Sequence, residues 1–468
     1  MWRPDSHSRA ADADHDDLVP PVPAPRAEPL GLFALLRVLA RNPLEAWTAA
    51  HFEEPIVVGG LPVAPVAVVS DPSAVRRVLL ENAGNYEKDW LQRRVLSHGL
   101  TDGLLTAEGQ QWRTQRRALA PLFARKTVQN FAHAMAGAAD DMIARLSRCD
   151  GQTVDLAVEV TRVTLDVLER TIFSDGFGRD AEQIRLAMKT YFETIGTIDP
   201  FDVLGLPRFI PRPRRWRLRA TLRLFDTTID AIIASRRRWL SRDRGGAPSD
   251  LLTLLLEAVD PQTGEALSER ELRANILTFI AAGHETTANL ITWSLYLLSR
   301  SRRWRARLQA EADREVGPGV DIGVDRLVET RAVLDEANRL YPPITAIGRQ
   351  ALAEDVLAGV PIRRGTMIVI APYVLHRHRK LWANPEVFDP RRFLPGARET
   401  IDRFAYLPFG LGPRTCIGAA FALQEAAIVL AKMMRNFDLE ADPTHSIEPI
   451  LKVTLRPRGG LPIRIRRR

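Results

Sequence analysis

Between Leu272 and Leu298 the chain is apolar almost throughout, broken by Arg273, Asn275, His284 and Glu285. A helix over that run covers about 40 Å at ~1.5 Å per residue, the width of a large domain. Two surroundings accept such an element, a bilayer or the middle of a protein. Ionisable groups inside a membrane span are costly, so the polar residues place this helix in a protein core. Ser268 and Glu271 stand before it with capping-box spacing, which marks its start. Any fold of this chain must wrap the remaining elements around that helix. Polar groups buried within it must be satisfied or used, which draws attention to Ala282-Gly283-His284-Glu285-Thr286-Thr287.

The rest of the chain supplies helices for the wrapping and little sheet. Pro55–Gly60 and Val66–Val69 read as two strands around a glycine turn. Ser70-Asp71-Pro72 then opens a helix. From Gln110 to Leu240 the pattern is mainly helical, broken at Asp150-Gly151 and around Pro207–Pro213, and Ser241–Ser249 reads as a surface loop. A further helix is expected over Val324–Leu340, then strands over Ile347–Leu352, Val356–Val360 and Thr366–Ile370. The expected class is mainly α with small β-sheets. No internal repeat or linker divides the chain, so residues 30–468 read as a single domain. Residues 1–29 are polar, acidic and proline-rich, and read as a disordered tail. The first apolar run, Leu30–Ala40, is too short to span a bilayer. It is expected to pack on the core rather than lie on a membrane surface.

Composition removes several classes of function. The net charge is +8, but it comes from arginines scattered along helices, and no zinc-finger or aromatic–basic motif accompanies them. Nucleic acid is therefore not the expected partner, and the terminal Arg464–Arg468 run reads as solvated. Cys149 and Cys416 are the two cysteines of 468 residues, no disulfide framework. With no signal peptide and no transmembrane anchor, a cytoplasmic location is expected.

Cys416 stands in Phe409-Gly410-Leu411-Gly412-Pro413-Arg414-Thr415-Cys416-Ile417-Gly418, just before a helical run from Ala419 to Met434. A cysteine at a helix start meets free N–H groups and the positive end of the dipole, which favour thiolate, the metal-ligating form. The glycines suit a tight loop that approaches a flat ligand closely, and Phe409 can shield the sulfur. Two simpler readings fail. His284-Glu285 would need histidine at Ala288 to make a zinc protease motif, and Gly410–Gly418 would need glycine at Thr415 to make a dinucleotide loop.

The Cys416 segment resembles the heme-binding signature FxxGxRxCxG of the cytochrome P-450 family at every fixed position. Three further sets resemble the same family, in order. Ala282–Thr286 is similar to its oxygen-activation motif, Glu336-Ala337-Asn338-Arg339 to its ExxR pair, and Trp112–Arg116 to WxxxR. The resemblance covers about residues 40–468 and is to the soluble bacterial type. It departs at His378, where the family often has Asp.

The resemblance implies heme b (iron protoporphyrin IX), with Cys416 as axial ligand in a loop bounded by Phe409 and Gly418. Trp112, Arg116, Arg349 and Arg414 would hold the propionates. Thr286, beside Ala282, and Glu285 would deliver protons. Glu336, Arg339 and Arg392 (from Pro390-Arg391-Arg392-Phe393) would hold the segment presenting Cys416. On the residues alone, Thr286 could instead bond back to Ala282 O and Glu285 could be salt-bridged. The implied activity is a monooxygenase using O2 and two external electrons on an apolar fatty acid, terpenoid or steroid-like molecule. Only about fifty residues follow Cys416, too few for a reductase domain, so a separate ferredoxin or flavodoxin with its reductase is expected. Its dock would be a basic patch of Arg113, Arg117, Arg125, Lys126 and Lys432. Trp90, Leu91, Phe192 and Phe201 are candidate pocket residues. The alternatives are a peroxygenase or rearranging enzyme on the same fold, and a non-catalytic heme-binding sensor.

Overall fold

A computed structural model describes residues 18–61, 64–96, 102–174, 186–187, 190–191, 194, 200–204, 213–317, 322–442 and 444–468. The longer helices are α1 (Leu32–Arg41), α2 (Gly109–Leu119), α3 (Ala132–Leu146), α4 (Leu156–Leu168), α5 (Pro213–Arg242), α6 (Glu269–Arg300), α7 (Arg302–Glu315), α8 (Val328–Leu340) and α9 (Ala419–Asn436). The central helix of the sequence is α6. Ser268 Oγ accepts from Glu271 N–H at 3.3 Å and Glu271 Oε2 accepts from Ser268 N–H at 3.0 Å, so the capping box is closed. Helices α4, α9 and α8 cover α6, and nearly every residue from Leu272 to Ser299 is buried. Trp293 on α6 stacks on Tyr341 at the end of α8, with ring centroids 3.8 Å apart and planes 8° apart.

The β structure lies at the margin, as expected. β1 (Ile56–Leu61) and β2 (Ala64–Val69) form the antiparallel hairpin. They continue through β8 (Met367–Ile370) and β5 (Ile347–Ala351) to β3 (Tyr86–Glu87). The strand expected over Val356–Val360 is instead a small hairpin, β6 (Asp355–Leu357) and β7 (Val360–Ile362). Ala358 and Gly359 both have positive φ, 45° and 82°, the geometry of a two-residue hairpin turn. β4 (Thr153–Asp155), β12 (Pro462–Arg467) and β9 (Phe437–Ala441) form a third group. β10 (Pro449–Leu451) and β11 (Leu455–Pro457) form a hairpin against α6.

Two expectations about the N-terminus are corrected. Residues 18–29, assigned to the tail, lie ordered on the body: Tyr341 Oη donates to Pro21 O at 2.8 Å and Phe388 N–H to Leu18 O at 2.9 Å. A proline-rich segment lacks donors but keeps every carbonyl, and here the body binds the carbonyls of Leu18 and Pro21. The second correction concerns the first apolar run. No residue of α1 is fully buried, and Phe33 is 87% exposed. Phe33, Arg37 and Arg41 recur every fourth residue, so the aromatic shares the outward face with two guanidiniums.

Glu425 on α9 is fully buried, and neither of its carboxylate oxygens has a hydrogen-bond partner among the described residues. Burial pushes its carboxyl well above the ordinary 4.5. The unfolded chain ionises above 4.5 while the folded group stays protonated, so folding is penalised increasingly as pH rises past that value. Glu425→Met is therefore expected to stabilise by about 1–3 kcal/mol at neutral pH, the usual cost of an unsatisfied buried polar group. The gain should be larger at neutral pH than near pH 4, where the unfolded chain also protonates this carboxyl, read from denaturant midpoints of both proteins across pH.

Candidate active site

The Cys416 loop is built by backbone. Gly410 and Gly412 adopt φ of 68° and 76°, and a Cβ on Gly412 would lie 1.9 Å from Leu79 O, so glycine is required there. Cys416 N–H donates to Phe409 O at 2.8 Å, which closes the loop onto the half-buried Phe409. Gly418 is the N-cap of α9. Burial pushes the Cys416 thiol up, while the Gly418 N–H and the charge of Arg116 pull it down. The side chain is nonetheless accessible. It therefore faces a space that protein surrounds, rather than the outer surface.

A second accessible window opens on α6. Ala282 is exposed and Gly283, Glu285 and Thr286 are half-buried, on a helix otherwise buried to its C-terminal end. Thr286 Oγ1 donates to Ala282 O at 2.6 Å, and Glu285 Oε1 lies 3.6 Å from Arg456 Nη1. Both local arrangements that the residues alone allow are thus present. Burial raises the Glu285 carboxyl, against a hydrogen bond from Thr454 and the charge of Arg456. His284, given no role from sequence, turns to Thr161 O on α4 (3.1 Å), and burial lowers it to about 4, so it is neutral.

The arginines expected at a propionate site are brought together beside the loop. The Arg414 guanidinium lies 4.2 Å from the centroid of the Trp112 ring and bonds Ala107 O (3.1 Å) and Glu108. Arg349 is buried and donates to Gly348 O at 2.8 Å. Arg116 is half-buried with no carboxylate partner among the described residues. Sequence reasoning missed Lys88, which bonds Ala107 O at 3.0 Å and Glu108 at 3.1 Å. Burial, then repulsion from Arg414, lowers Lys88 to about 8. Its only sequence signal is a lysine just after β3, indistinguishable from a surface charge.

The ExxR pair is fully buried. Arg339 pairs with Glu336 at 2.7 Å and donates to the carbonyls of His376, Pro385 and Val387. Glu336 Oε1 also accepts from Asp389 N–H at 2.8 Å, and Arg392 approaches it at 3.8 Å. His376, lowered to about 3 chiefly by burial, accepts from Leu407 N–H at 2.8 Å, two residues before Phe409. His378 meets Glu54 O at 3.2 Å. The His376-Arg377-His378 stretch is therefore bracing.

The basic patch needs correction. Arg117 is paired with Asp260, Arg125 with Asp325 and Lys432 with Asp140. Arg113 and Lys126 are exposed with no ion pair among the described residues. Of the pocket candidates, Trp90 and Leu91 are half-buried and Phe201 is 43% exposed, while Phe192 lies outside the described residues.

The family model for cytochrome P-450 matches residues 21–462. The chain belongs to the cytochrome P-450 family. It is 31% identical over 438 residues to cyclooctatin synthase of Streptomyces melanosporofaciens, covering 92% of this chain and 93% of that protein. It is 29% identical over 440 residues to cytokinin hydroxylase of Arabidopsis thaliana, covering 89% and 82%. The crystal structure of the cytochrome P450DA heme domain superposes with a TM-score of 0.83 at 28% identity, over 96% of this chain and 98% of that one. The protein is accordingly an oxidoreductase, a heme monooxygenase, and the fold expected from sequence is the one found. Its residues fit the heme of this P-450 class. Cys416 offers a thiol to an enclosed space, and Lys88, Arg116, Arg349 and Arg414 outnumber the carboxylates Asp89 and Glu108 set among them. Two propionates would supply the missing anions.

Proposed function

We propose that this P-450 hydroxylates or epoxidises an apolar small molecule, fatty acid, terpenoid or steroid-like, in the cytoplasm, with electrons from a separate ferredoxin or flavodoxin and its reductase. The observation that carries the reading is the window on α6, where Thr286 and a protonation-prone Glu285 interrupt the buried run from Ala274 to Ser299. Relatives named as a cyclooctatin synthase and a cytokinin hydroxylase support a small-molecule substrate. No described helix is long and apolar enough to cross a membrane.

Bound heme supplies O2 binding and its reductive cleavage. Cys416 would hold the iron as thiolate, with the Gly418 N–H and Arg116 favouring that form. Trp112, Arg116, Arg349, Arg414 and Lys88 would hold the propionates. Thr286 positions a proton donor by releasing its bond to Ala282 O, and Glu285 replenishes the proton. Glu336, Arg339 and Arg392 keep the Cys416 segment in register and touch no substrate.

Thr286→Ala tests the reading. Product formed per electron consumed is expected to fall by about tenfold or more, with peroxide released instead, because a positioned proton donor contributes ~10²–10⁴-fold. Unchanged coupling would favour a peroxide-using or rearranging enzyme. For the partner, Arg113→Glu with Lys126→Glu should slow reduction by an acidic carrier about tenfold at low salt. The difference should shrink as salt rises, and equal rates at all salt concentrations would remove the dock.

A further inference from the structure

One face of α6 is bound at three successive turns by a single segment of the chain's C-terminal part. Glu285 Oε1 lies 3.6 Å from Arg456 Nη1. Asn289 Nδ2 donates to Thr454 Oγ1 at 2.8 Å, and Trp293 Nε1 donates to Leu455 O at 3.1 Å. Residues 285, 289 and 293 are four apart and so lie on one stripe of the helix. The segment is the turn and second strand of the β10–β11 hairpin. Asn289 and Trp293 are buried, so two of the three anchors are firm. Arg456 differs: its side chain is 35% exposed while that of Glu285 is 12% exposed. The hairpin thus presents one cation that reaches from solvent to a carboxylate inside the protein.

We propose that Arg456 and Thr454 are positioning residues for Glu285, which hold the carboxylate toward solvent for reprotonation and set the pH range in which it hands a proton to the Thr286 site. This rests on the reading of Glu285 as proton supplier given above. Arg456 passes no proton itself. In each delivery Glu285 loses one proton inward as carboxyl and regains one from water as carboxylate, with Arg456 stabilising the ionised state. Glu285 Oε2 is buried and has no hydrogen-bond partner among the described residues. Among the described residues Arg456 is the charged side chain set against it. His284, the neighbouring titratable group, is turned to α4 and neutral. Removing Arg456 takes away a group that lowers the Glu285 carboxyl, so its titration moves up.

The test measures product per electron and the solvent deuterium isotope effect on turnover from pH 6 to 9, in the holoenzyme with its electron-transfer system. Arg456→Met is expected to shift the alkaline limb to higher pH and to enlarge the isotope effect at least twofold, with Arg456→Lys restoring both. Thr454→Val should move both in the same direction by less, and it serves if Arg456→Met folds poorly. Parental profiles in both Arg456→Met and Thr454→Val, with Glu285→Gln altering them, would overturn the proposal. If Glu285→Gln is also parental, the proton role of Glu285 itself fails. A merely structural role would lower activity equally at every pH, and that outcome also overturns the proposal.

Discussion

Cys416→Ala is expected to abolish turnover while leaving the helical fold in place. The loop that carries Cys416 is held by backbone bonds and by two glycines with positive φ, none of which involves the sulfur. Heme would lose the thiolate proposed to hold its iron, while Arg349, Arg414 and Lys88 would still be placed to pair with its propionates, so retention should weaken rather than vanish. Cys416→His is the more telling variant. Imidazole ligates heme iron but lacks the electron donation that thiolate gives to O–O cleavage. The histidine protein should therefore be coloured and inactive. Circular dichroism, heme content and product assay on the same preparations separate the two effects. Substantial product from either variant would mean that another residue holds the iron.

The second large effect is expected at the Glu336–Arg339 pair. Both side chains are fully buried, and Arg339 also satisfies three carbonyls between His376 and Val387. Arg339→Met leaves Glu336 without its buried partner and those carbonyls unbonded. Removing one partner of such a pair costs about 3–5 kcal/mol. Glu336→Gln should cost a comparable amount, since Asp389 N–H and Arg392 also rely on that carboxylate. The pair with both changes should be less destabilised than the two single costs added, because each single variant already strands the other partner. Denaturant unfolding followed through the heme band and through far-ultraviolet dichroism gives the three values. Simple additivity would mean that the two residues act independently.

Much of the site was legible because its residues sit in short local patterns. Cys416 and its glycines, Glu336 with Arg339, Trp112 with Arg116, and Ala282 to Thr286 each lie within one loop or a few turns of helix. What stayed hidden depends on contacts between distant segments. Thr454 meets Asn289 from 165 residues away, and no spacing rule marks a threonine in a hairpin turn as the partner of a buried asparagine one turn from Glu285. Lys88 has the same difficulty. The basic patch failed for a related reason: Arg117 carries a positive charge in the sequence, and only the fold shows Asp260 neutralising it. Residues 18–29 were misread because composition reports the absence of a core-forming pattern. It does not report carbonyls that Tyr341 and Phe388 bind.

The most direct test of the whole account is the absorption spectrum of the dithionite-reduced, carbon monoxide-bound holoenzyme. The strongly red-shifted Soret band of a thiolate-ligated heme, lost in Cys416→His, is the predicted result. A band like that of a histidine-ligated globin in the unaltered protein would contradict it.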